Sequence, residues 1–306
     1  MRCLNQVPRG RVATCGAIAR ALGEGRAARA VATWITDHRE TLRAHRVVRA
    51  DGRPVLEEAQ GKLAREGVPS ARGRIDSARI LGPLREIEFL QELRKDQRRL
   101  AASVIERDES GPMDLVGGVD VSYRDDQMFA AAATIRVDDL ECVEVAAIRR
   151  RVDFPYIPTY LAYREFPAIR DAVSRLSKRP DVLMIDGHGR LHPALFGIAC
   201  YAGVALDIPT IGIAKNPLAG RSRSAGPRNR DTTSLWIGDT IRGFAWVPAG
   251  RSRPIYVSVG HRISLESALT LARRTTPSGY PEALKIADRV SREMKRNEKR
   301  EKGATR

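Results

Sequence analysis

Two acidic residues each lie near the end of an apolar run that predicts a buried strand. Asp120 lies within residues 115–123, and Asp186 within residues 182–189. An ionised carboxylate beside a buried strand is costly unless it is paired, hydrogen-bonded or bound to a metal. One such acid is usually structural, but two at the exits of two strands predict a metal site. Carboxylate oxygens suit Mg²⁺ or Mn²⁺, whereas zinc favours closely spaced Cys and His.

The elements that would position these acids are predicted from the spacing of apolar residues. Residues 128–137 and 143–152 are strand candidates, and a helical spacing follows through Leu161, Ile169 and Leu176. Three strands, a helix and a further strand is the order expected of a ribonuclease-H-like α/β fold with a mixed sheet. In that fold, the acids of the first strand and of the strand after the helix meet at one edge. Two metal ions held there can activate water and stabilise the leaving oxygen of a phosphodiester.

The first 80 residues have a shorter, more basic and more helical pattern. Thr14 can cap a helix that runs to Leu22, and Ala28, Val31 and Ile35 mark one face of a second helix. Two short helices joined by a glycine-containing turn indicate a helix-turn-helix, here in a small winged domain, whose second helix enters a DNA groove. The same pattern is common in proteins that never touch DNA.

Composition narrows the class of partner. The 306 residues include 53 Lys and Arg against 37 Asp and Glu, which gives a formal net charge of +16 and a pI near 10.3. Because neutralising phosphates releases counterions, this excess favours a polyanionic partner. A generally solvated basic surface would have the same charge, and charge alone does not separate DNA from RNA or from a membrane surface.

Membrane and secreted classes are not favoured. No stretch approaches the ~18 consecutive apolar residues of a membrane span, and the first residues carry no apolar signal segment. The cysteines form no CxxC pair, so we expect reduced thiols. They are Cys3, Cys15, Cys142 and Cys200. We also expect a monomeric, cytoplasmic protein.

Changes in composition and in the spacing of apolar residues predict three regions along the chain. We expect a DNA-binding domain over residues 1–82, a larger α/β domain over residues 83–281 that begins with a helix near residues 84–99, and a basic tail over residues 282–306. The tail is highly charged, and we expect it to fray beyond Met294.

The front domain resembles the DNA-binding domain of alkylguanine-DNA alkyltransferases. The similarity spans residues 6–80 and is carried by three segments, VPRGRVAT (7–14), AARAV (27–31) and HRVVRADG (45–52). That family has a Pro-Cys-His-Arg motif whose Cys accepts the alkyl group, but Ala44 stands at the position of that Cys, and a methyl group cannot form a thioether. The resemblance therefore implies binding without alkyl transfer.

Two further positions of the alkyltransferase pattern bear on how this domain would bind DNA. Arg29 matches the Arg that fills the space left in the duplex by a rotated nucleotide, so the resemblance implies that Arg29 contacts DNA. Cys15 stands where the family has a Tyr that helps this rotation. A packed thiol is the interpretation of Cys15 that we favour over a substitute nucleophile.

The larger domain resembles endonuclease V over residues 84–275. Six motifs carry the similarity in order: GVDVSY (118–123), PYIP (155–158), YRE (163–165), DGHGRLHP (186–193), DIPTIGIAK (207–215) and GHR (260–262). The resemblance implies a Mg²⁺-dependent nuclease, with Mn²⁺ as a substitute, that acts on deoxyinosine in DNA. It implies cleavage of one strand at the second phosphodiester on the 3′ side of the lesion.

The resemblance also assigns site residues. Asp120, Glu165 and Asp186 match the metal-binding carboxylates, His261 matches a position with a further active-site role, and Lys215 is placed to orient water or to stabilise phosphate charge. A plain phosphate contact is the competing interpretation of Lys215. The wedge that separates the strands at the lesion is matched by four residues, Pro155, Tyr156, Ile157 and Pro158.

Two questions remain open at this point, the role of His192 and the activity of the whole chain. His192 is as well explained by a hydrogen bond to a nearby backbone carbonyl as by a catalytic role. The whole chain is interpreted first as a deoxyinosine endonuclease with a fused DNA-binding domain. A non-catalytic sensor of damaged DNA and a ribonuclease for inosine-containing RNA are the alternatives.

Overall fold

The computed structural model describes residues 2–109, 111–223, 228–229 and 231–304. The chain divides into two compact units, one formed by Met1–Asp96 with Pro155–Pro158 and the other by Gln97–Phe154 with Thr159–Arg306. None of the helices formed by the described residues combines the length and apolar character that a bilayer span needs.

Unit 1 contains the predicted helix pair. The hydroxyl of Thr14 accepts a hydrogen bond from the backbone N–H of Ala17 at 3.0 Å and caps the first helix, as its residue type predicts. A two-residue antiparallel hairpin forms the wing. The elements are β1 (Ala13–Thr14), α1 (Cys15–Ala21), α2 (Ala28–Asp37), β2 (Val47–Val48), α3 (Ala59–Arg65), β3 (Ser70–Ala71), β4 (Arg74–Ile75) and α4 (Phe89–Ala101).

Unit 1 extends further along the chain than the boundary predicted at residues 82 and 83. The backbone N–H groups of Ile87 and Glu88 donate to the carbonyl of Ala21, and that of Leu90 donates to the carbonyl of Leu22. These hydrogen bonds attach the start of α4 to the end of α1. The helix predicted over residues 84–99 therefore begins later, at Phe89, and the unit boundary lies inside it.

Unit 2 is built on a ten-stranded mixed sheet with the order β10-β12-β13-β14-β9-β8-β5-β6-β7, in which β11 pairs with β12. The pairs β5–β8 and β8–β9 are parallel, and the others are antiparallel. The predicted order of three strands, a helix and a strand is confirmed by β5 (Leu115–Arg124), β6 (Gln127–Arg136), β7 (Cys142–Arg151), α5 (Leu161–Val173) and β8 (Val182–Asp186). The remaining elements are α6 (Ile198–Leu206), β9 (Thr210–Ala214), β10 (Arg221–Ser222), β11 (Arg228–Asn229), β12 (Thr232–Ile237), β13 (Thr240–Trp246), β14 (Ile255–His261), α7 (Leu265–Arg274) and α8 (Glu282–Ala304).

Helices cover both faces of this sheet. Leu183 and Ile185 of β8 pack with α5 and α6, whereas Val182 and Met184 pack with α7 and α8. This alternation follows from the two-residue repeat of a strand. Both faces of the central parallel strands are therefore buried, which accounts for their nearly continuous apolar sequences.

Residues 282–304, assigned to a basic tail from the sequence, form α8 and group with unit 2. Ala283, Leu284 and Ala287 are buried in the core. A Cβ atom at Gly118 of β5 would lie 2.5 Å from the backbone of Ala283, so only glycine allows the helix to approach this closely. The many charges are compatible with a packed helix because they lie mostly on its other faces.

Candidate active site

Asp120 and Asp186 lie on adjacent parallel strands at the same level. In the register of β5 and β8, Val119 faces Ile185, so the next residue on each strand is one of the two acids. Neighbouring strands lie about 4.8 Å apart, which brings the two carboxylates within strong electrostatic reach. The hydroxyl of Ser291, on α8, lies 3.2 Å from Oδ2 of Asp120 and donates to it.

Glu165 reaches the same site from α5. Its side chain is buried, and its Oε1 accepts a hydrogen bond of 2.6 Å from the hydroxyl of Tyr123. Leu161, Glu165 and Ile169 recur every four residues and so share one face of the helix. That face closes a cavity of about 190 Å³ whose lining is completed by Val119, Asp120, Val121, Ile185 and Asp186.

Both oxygens of Asp186 have partners. Lys215, directly after β9, donates from Nζ to Oδ2. The hydroxyl of Tyr280 lies 3.2 Å from Oδ1 and also 3.2 Å from the carbonyl oxygen of Ile213. The Nζ of Lys215 lies 4.8 Å from the centre of the Tyr280 ring, within cation–π range. Lys215 and Tyr280 therefore fix the side chain of Asp186 from both of its oxygens.

The carboxylates are electrostatically unfavourable to one another. Burial, followed by the charge of Asp186, raises the pKa of Asp120 well above its usual range. Burial is also the main cause that raises the pKa of Glu165 to about 8; the hydrogen bond from Tyr123 opposes it, and the charges of Asp120 and Asp186 add to it. Asp120 and Glu165 both resist ionisation beside one cavity. A positive charge bound in that cavity would stabilise their ionised forms.

The donor set fits a hard divalent cation, although the side chains do not form a closed ligand cage. Among the described residues, no three His, Cys, Asp or Glu side chains converge closely enough to hold a metal ion. Glu165 is directed towards Tyr123, and Asp186 towards Lys215 and Tyr280. The fit rests on oxygen-only donors and on the mutual repulsion of the buried carboxylates.

Sequence reasoning missed a fourth acid and several hydroxyl groups near the carboxylates. The charge of Asp288 contributes to the raised pKa of Asp120, so this residue of α8 lies near the site. Asp288 and Ser291 are three residues apart and share the helix face turned towards β5. That three-residue spacing could have indicated a helix face directed at the site, but the segment was interpreted as a tail. Tyr280 carried no signal of its own, and Tyr123 belonged to the GVDVSY motif without a role assigned to it.

The two histidines considered from sequence have structural partners. His261 pairs with Thr210 in the sheet, and Thr210 pairs with Leu183, three residues before Asp186 on β8. This places His261 about 10 Å along the strands from the acids. Its Nδ1 accepts a hydrogen bond of 3.2 Å from the N–H of Ile105, so the position does not support the expected active-site role.

His192 forms the backbone hydrogen bond that was one of its two interpretations. Its Nε2 lies 3.1 Å from the carbonyl oxygen of Thr159, and its Nδ1 accepts from the N–H of Ala194 at 3.1 Å. The side chain is buried. With Nδ1 accepting, Nε2 carries the proton and donates to the carbonyl, so the ring ties two backbone segments together.

The residues expected to bind DNA differ in how far they are exposed to solvent. Tyr156 is 61 % exposed between Pro155 and Pro158, whereas Ile157 is buried. These four residues group with unit 1. Arg29 is exposed in the first turn of α2, the second helix of the predicted helix-turn-helix.

The front domain lacks a reactive thiol at the position of the alkyl acceptor. Ala44 is fully buried, and burial raises the pKa of Cys15, which keeps this thiol protonated and poorly nucleophilic. Beside Ala44, Glu66 accepts hydrogen bonds from Arg46 and His45. Burial alone would raise the pKa of Glu66, but these partners outweigh it and lower the pKa to about 2.

Known protein families match both the front domain and the larger α/β domain of this chain. A sequence model of the family described as Endonuclease V matches residues 98–289, and one described as 6-O-methylguanine DNA methyltransferase, DNA binding domain, matches residues 1–68. Endonuclease V of Roseiflexus castenholzii is 41 % identical over 203 residues, covering 66 % of this chain and 91 % of that protein. The Thermofilum pendens enzyme is 40 % identical over 202 residues, with 65 % and 85 % covered.

Solved structures show the same fold for the nuclease part. Human ENDOV is 33 % identical with a TM-score of 0.62, covering 68 % of this chain and 99 % of its own. Ciona intestinalis endonuclease V, crystallised with a 24mer DNA containing an inosine followed by a ribo-adenosine, is 25 % identical with a TM-score of 0.63, and the match covers 69 % and 99 %. The chain therefore belongs to the endonuclease V family and carries an alkyltransferase-type DNA-binding domain in front of the nuclease.

Proposed function

We propose that this protein is a DNA-repair endonuclease that cuts one DNA strand at the second phosphodiester on the 3′ side of deoxyinosine. The observation that carries the proposal is the placement of Asp120 and Asp186 at one level of two parallel strands, with Glu165 across a shared cavity. The products are a 3′-hydroxyl and a 5′-phosphate. The protein acts on DNA as a monomer in the cytoplasm.

Asp120, Glu165 and Asp186 are the proposed ligands of Mg²⁺, for which Mn²⁺ can substitute. A divalent cation bound there supplies a nucleophilic water and stabilises charge on the leaving oxygen. Lys215 orients Asp186 and offers a positive charge to the scissile phosphate. Tyr123 fixes Glu165 through its hydroxyl, which limits the rotation of the buried carboxyl.

The wedge and the front domain serve DNA binding in this proposal. Tyr156, exposed between two prolines, stacks on a base beside the lesion. Arg29 and α2 hold the duplex and transfer no alkyl group, because Ala44 has replaced the acceptor. Finding an alkylated cysteine by mass spectrometry, after incubation with DNA containing methylated guanine, would overturn this assignment.

Cleavage of a labelled duplex with one deoxyinosine in Mg²⁺ tests the nuclease directly. The intact protein is expected to leave one nick, one nucleotide beyond the inosine, and Asp120→Asn is expected to leave none while still binding the duplex. Asp138→Asn is the matched control, because its side chain is 93 % exposed beyond the end of β6. It should cut like the unchanged protein. Tight binding without any nick would favour a damage sensor instead.

The sugar preference is tested in the same assay. Strands with deoxyinosine, with inosine followed by one ribonucleotide, and with inosine in RNA are compared at equal concentration. The proposal predicts the highest kcat/KM on DNA, in keeping with the fused DNA-binding domain. Preference for the RNA strand would show that the protein is an inosine ribonuclease in which the carboxylates have the same roles.

A further inference from the structure

Helix α8 continues well past the part of the chain that the endonuclease V family accounts for. The family match ends at residue 289, whereas the helix runs to Ala304. Residues 290–304 contain six Lys and Arg against three Glu. This extension, residues 290–304, is therefore a basic helix attached to the nuclease domain, with no role assigned by the family.

The extension has a packed side and an exposed side. Ser291 is fully buried, and its backbone carbonyl accepts from the hydroxyl of Ser122 at 2.9 Å. The guanidinium of Arg124 donates to the carbonyl of Lys295 at 3.0 Å. Both partners lie on β5, so the helix is fixed to the strand that carries Asp120.

Three arginines project from the exposed side of α8, two of them in the extension and one, Arg289, directly before it. Arg289, Arg292 and Arg296 follow one another at spacings of three and four residues, which puts them on one face of the helix. The side chains of Arg292 and Arg296 are 60 % and 69 % exposed. Neighbours on such a face are about 5–6 Å apart. We call these three residues the arginine row.

The arginine row begins beside the carboxylates. Ser291, next to Arg292 in sequence, donates to Asp120, and Arg292 itself forms an ion pair of 2.9 Å with Asp288. Asp288 in turn acts electrostatically on Asp120. A strand lying along the row would therefore lead directly to the catalytic acids.

We propose that the arginine row binds the phosphate backbone of the DNA substrate and guides the strand to the carboxylates. The inference rests on the proposed function, because it takes the substrate to be DNA. Phosphate is the chemistry that fits, since guanidinium groups pair well with its oxygens and the site itself is rich in acids that repel a polyanion. Because the helix is already held to β5, binding does not have to order it first.

The test compares two triple variants with the same change of charge. R289Q/R292Q/R296Q removes the row, and R175Q/K178Q/R274Q removes three exposed charges at the other end of the strands. Arg175 and Lys178 precede the start of β8, and Arg274 pairs with Asp138 beyond the end of β6. Glutamine has a helix propensity close to that of arginine, so α8 is preserved.

Binding is measured by fluorescence anisotropy in an Asp120→Asn background, with a labelled deoxyinosine duplex and a matched undamaged duplex over a range of salt concentrations. Loss of the row is expected to reduce the slope of log affinity against log salt by about 2–3, equally for both duplexes, because phosphate contacts carry no sequence information. The control triple is expected to change it by less than about 1. Equal slopes for the two triples would overturn the proposal.

A double variant separates backbone binding from an indirect effect on the acids. R289Q/R296Q keeps the Arg292–Asp288 pair and should still reduce the slope by about 2; no reduction would count against the row. The outcome is also distinct from that of the nuclease assay. A protein that never nicks deoxyinosine DNA but shows the slope difference would refute the proposed function alone, and a nicking protein with equal slopes would refute this inference alone.

Discussion

The hydroxyl of Tyr280 lies 3.2 Å from Oδ1 of Asp186, while Lys215 binds Oδ2 of the same carboxylate. Tyr280 is 7 % exposed, and its hydroxyl proton can be given either to Asp186 or to the carbonyl of Ile213. A carboxylate held at both oxygens has little freedom to rotate. Tyr280 therefore sets the orientation in which Asp186 meets a cation.

Removing that hydroxyl is expected to weaken metal binding more than folding. Tyr280→Phe keeps the ring that lies under Lys215 and should lower Mg²⁺ affinity by about tenfold, the usual effect of losing a group that orients a metal ligand. Isothermal titration with Mg²⁺ measures this. Tyr256→Phe, which removes the hydroxyl of a partly buried tyrosine on β14, is the control, and equal affinities for the two variants would contradict the role of Tyr280.

Metal affinity is expected to rise with pH. The pKa of Asp120 is raised and that of Glu165 is raised to about 8, mainly by burial, so the metal-free site holds protons that a cation must displace. Mg²⁺ affinity should increase between pH 6 and 9, with proton release that diminishes towards pH 9. Titration in two buffers of different ionisation enthalpy counts the protons, and binding that is independent of both pH and buffer would disprove the prediction.

The same repulsion predicts a gain in stability when one acid is neutralised. A carboxyl whose folded pKa lies above its unfolded value stabilises the protein at low pH, and that contribution is lost as pH rises through the folded pKa. Asp120→Asn should therefore unfold at a temperature about 2–4 °C higher than the unchanged protein at pH 8 without metal, which corresponds to about 1 kcal/mol. The difference should shrink as the pH falls and vanish only below the unfolded pKa of an aspartate, about 3.9. A lower unfolding temperature at pH 8 would mean that the charge of Asp120 is fully compensated.

His261 is expected to matter for folding and not for metal binding. His261→Ala leaves the N–H of Ile105 without its acceptor and opens a cavity, so the free energy of unfolding should fall by about 1–3 kcal/mol. Mg²⁺ affinity should stay within about twofold of the unchanged protein, which corresponds to about 0.4 kcal/mol at most. Denaturant unfolding and metal titration of one preparation measure both. A normal stability with lost Mg²⁺ binding would restore His261 to the active site.

Local sequence determined the elements near the acids and the helix pair in front. The apolar runs of β5 and β8, the four-residue spacing of α5 and the cap at Thr14 depend on neighbours within a few residues, so they can be inferred without the fold. Parallel pairing of the two acid-bearing strands followed from their order along the chain. The replacement of the alkyl acceptor by Ala44 was likewise visible in the sequence alone.

Tertiary structure alone decided which groups surround those acids. Ser291, Tyr280 and Asp288 lie more than 90 residues from the acids that they influence, and no spacing rule connects positions so far apart. The highly charged residues after 282 were interpreted as a tail because charge is averaged along the chain, whereas packing depends on one face of the helix. His261 matched a motif, but its distance from the carboxylates is set by the register of β14 on β9, which only the folded sheet defines.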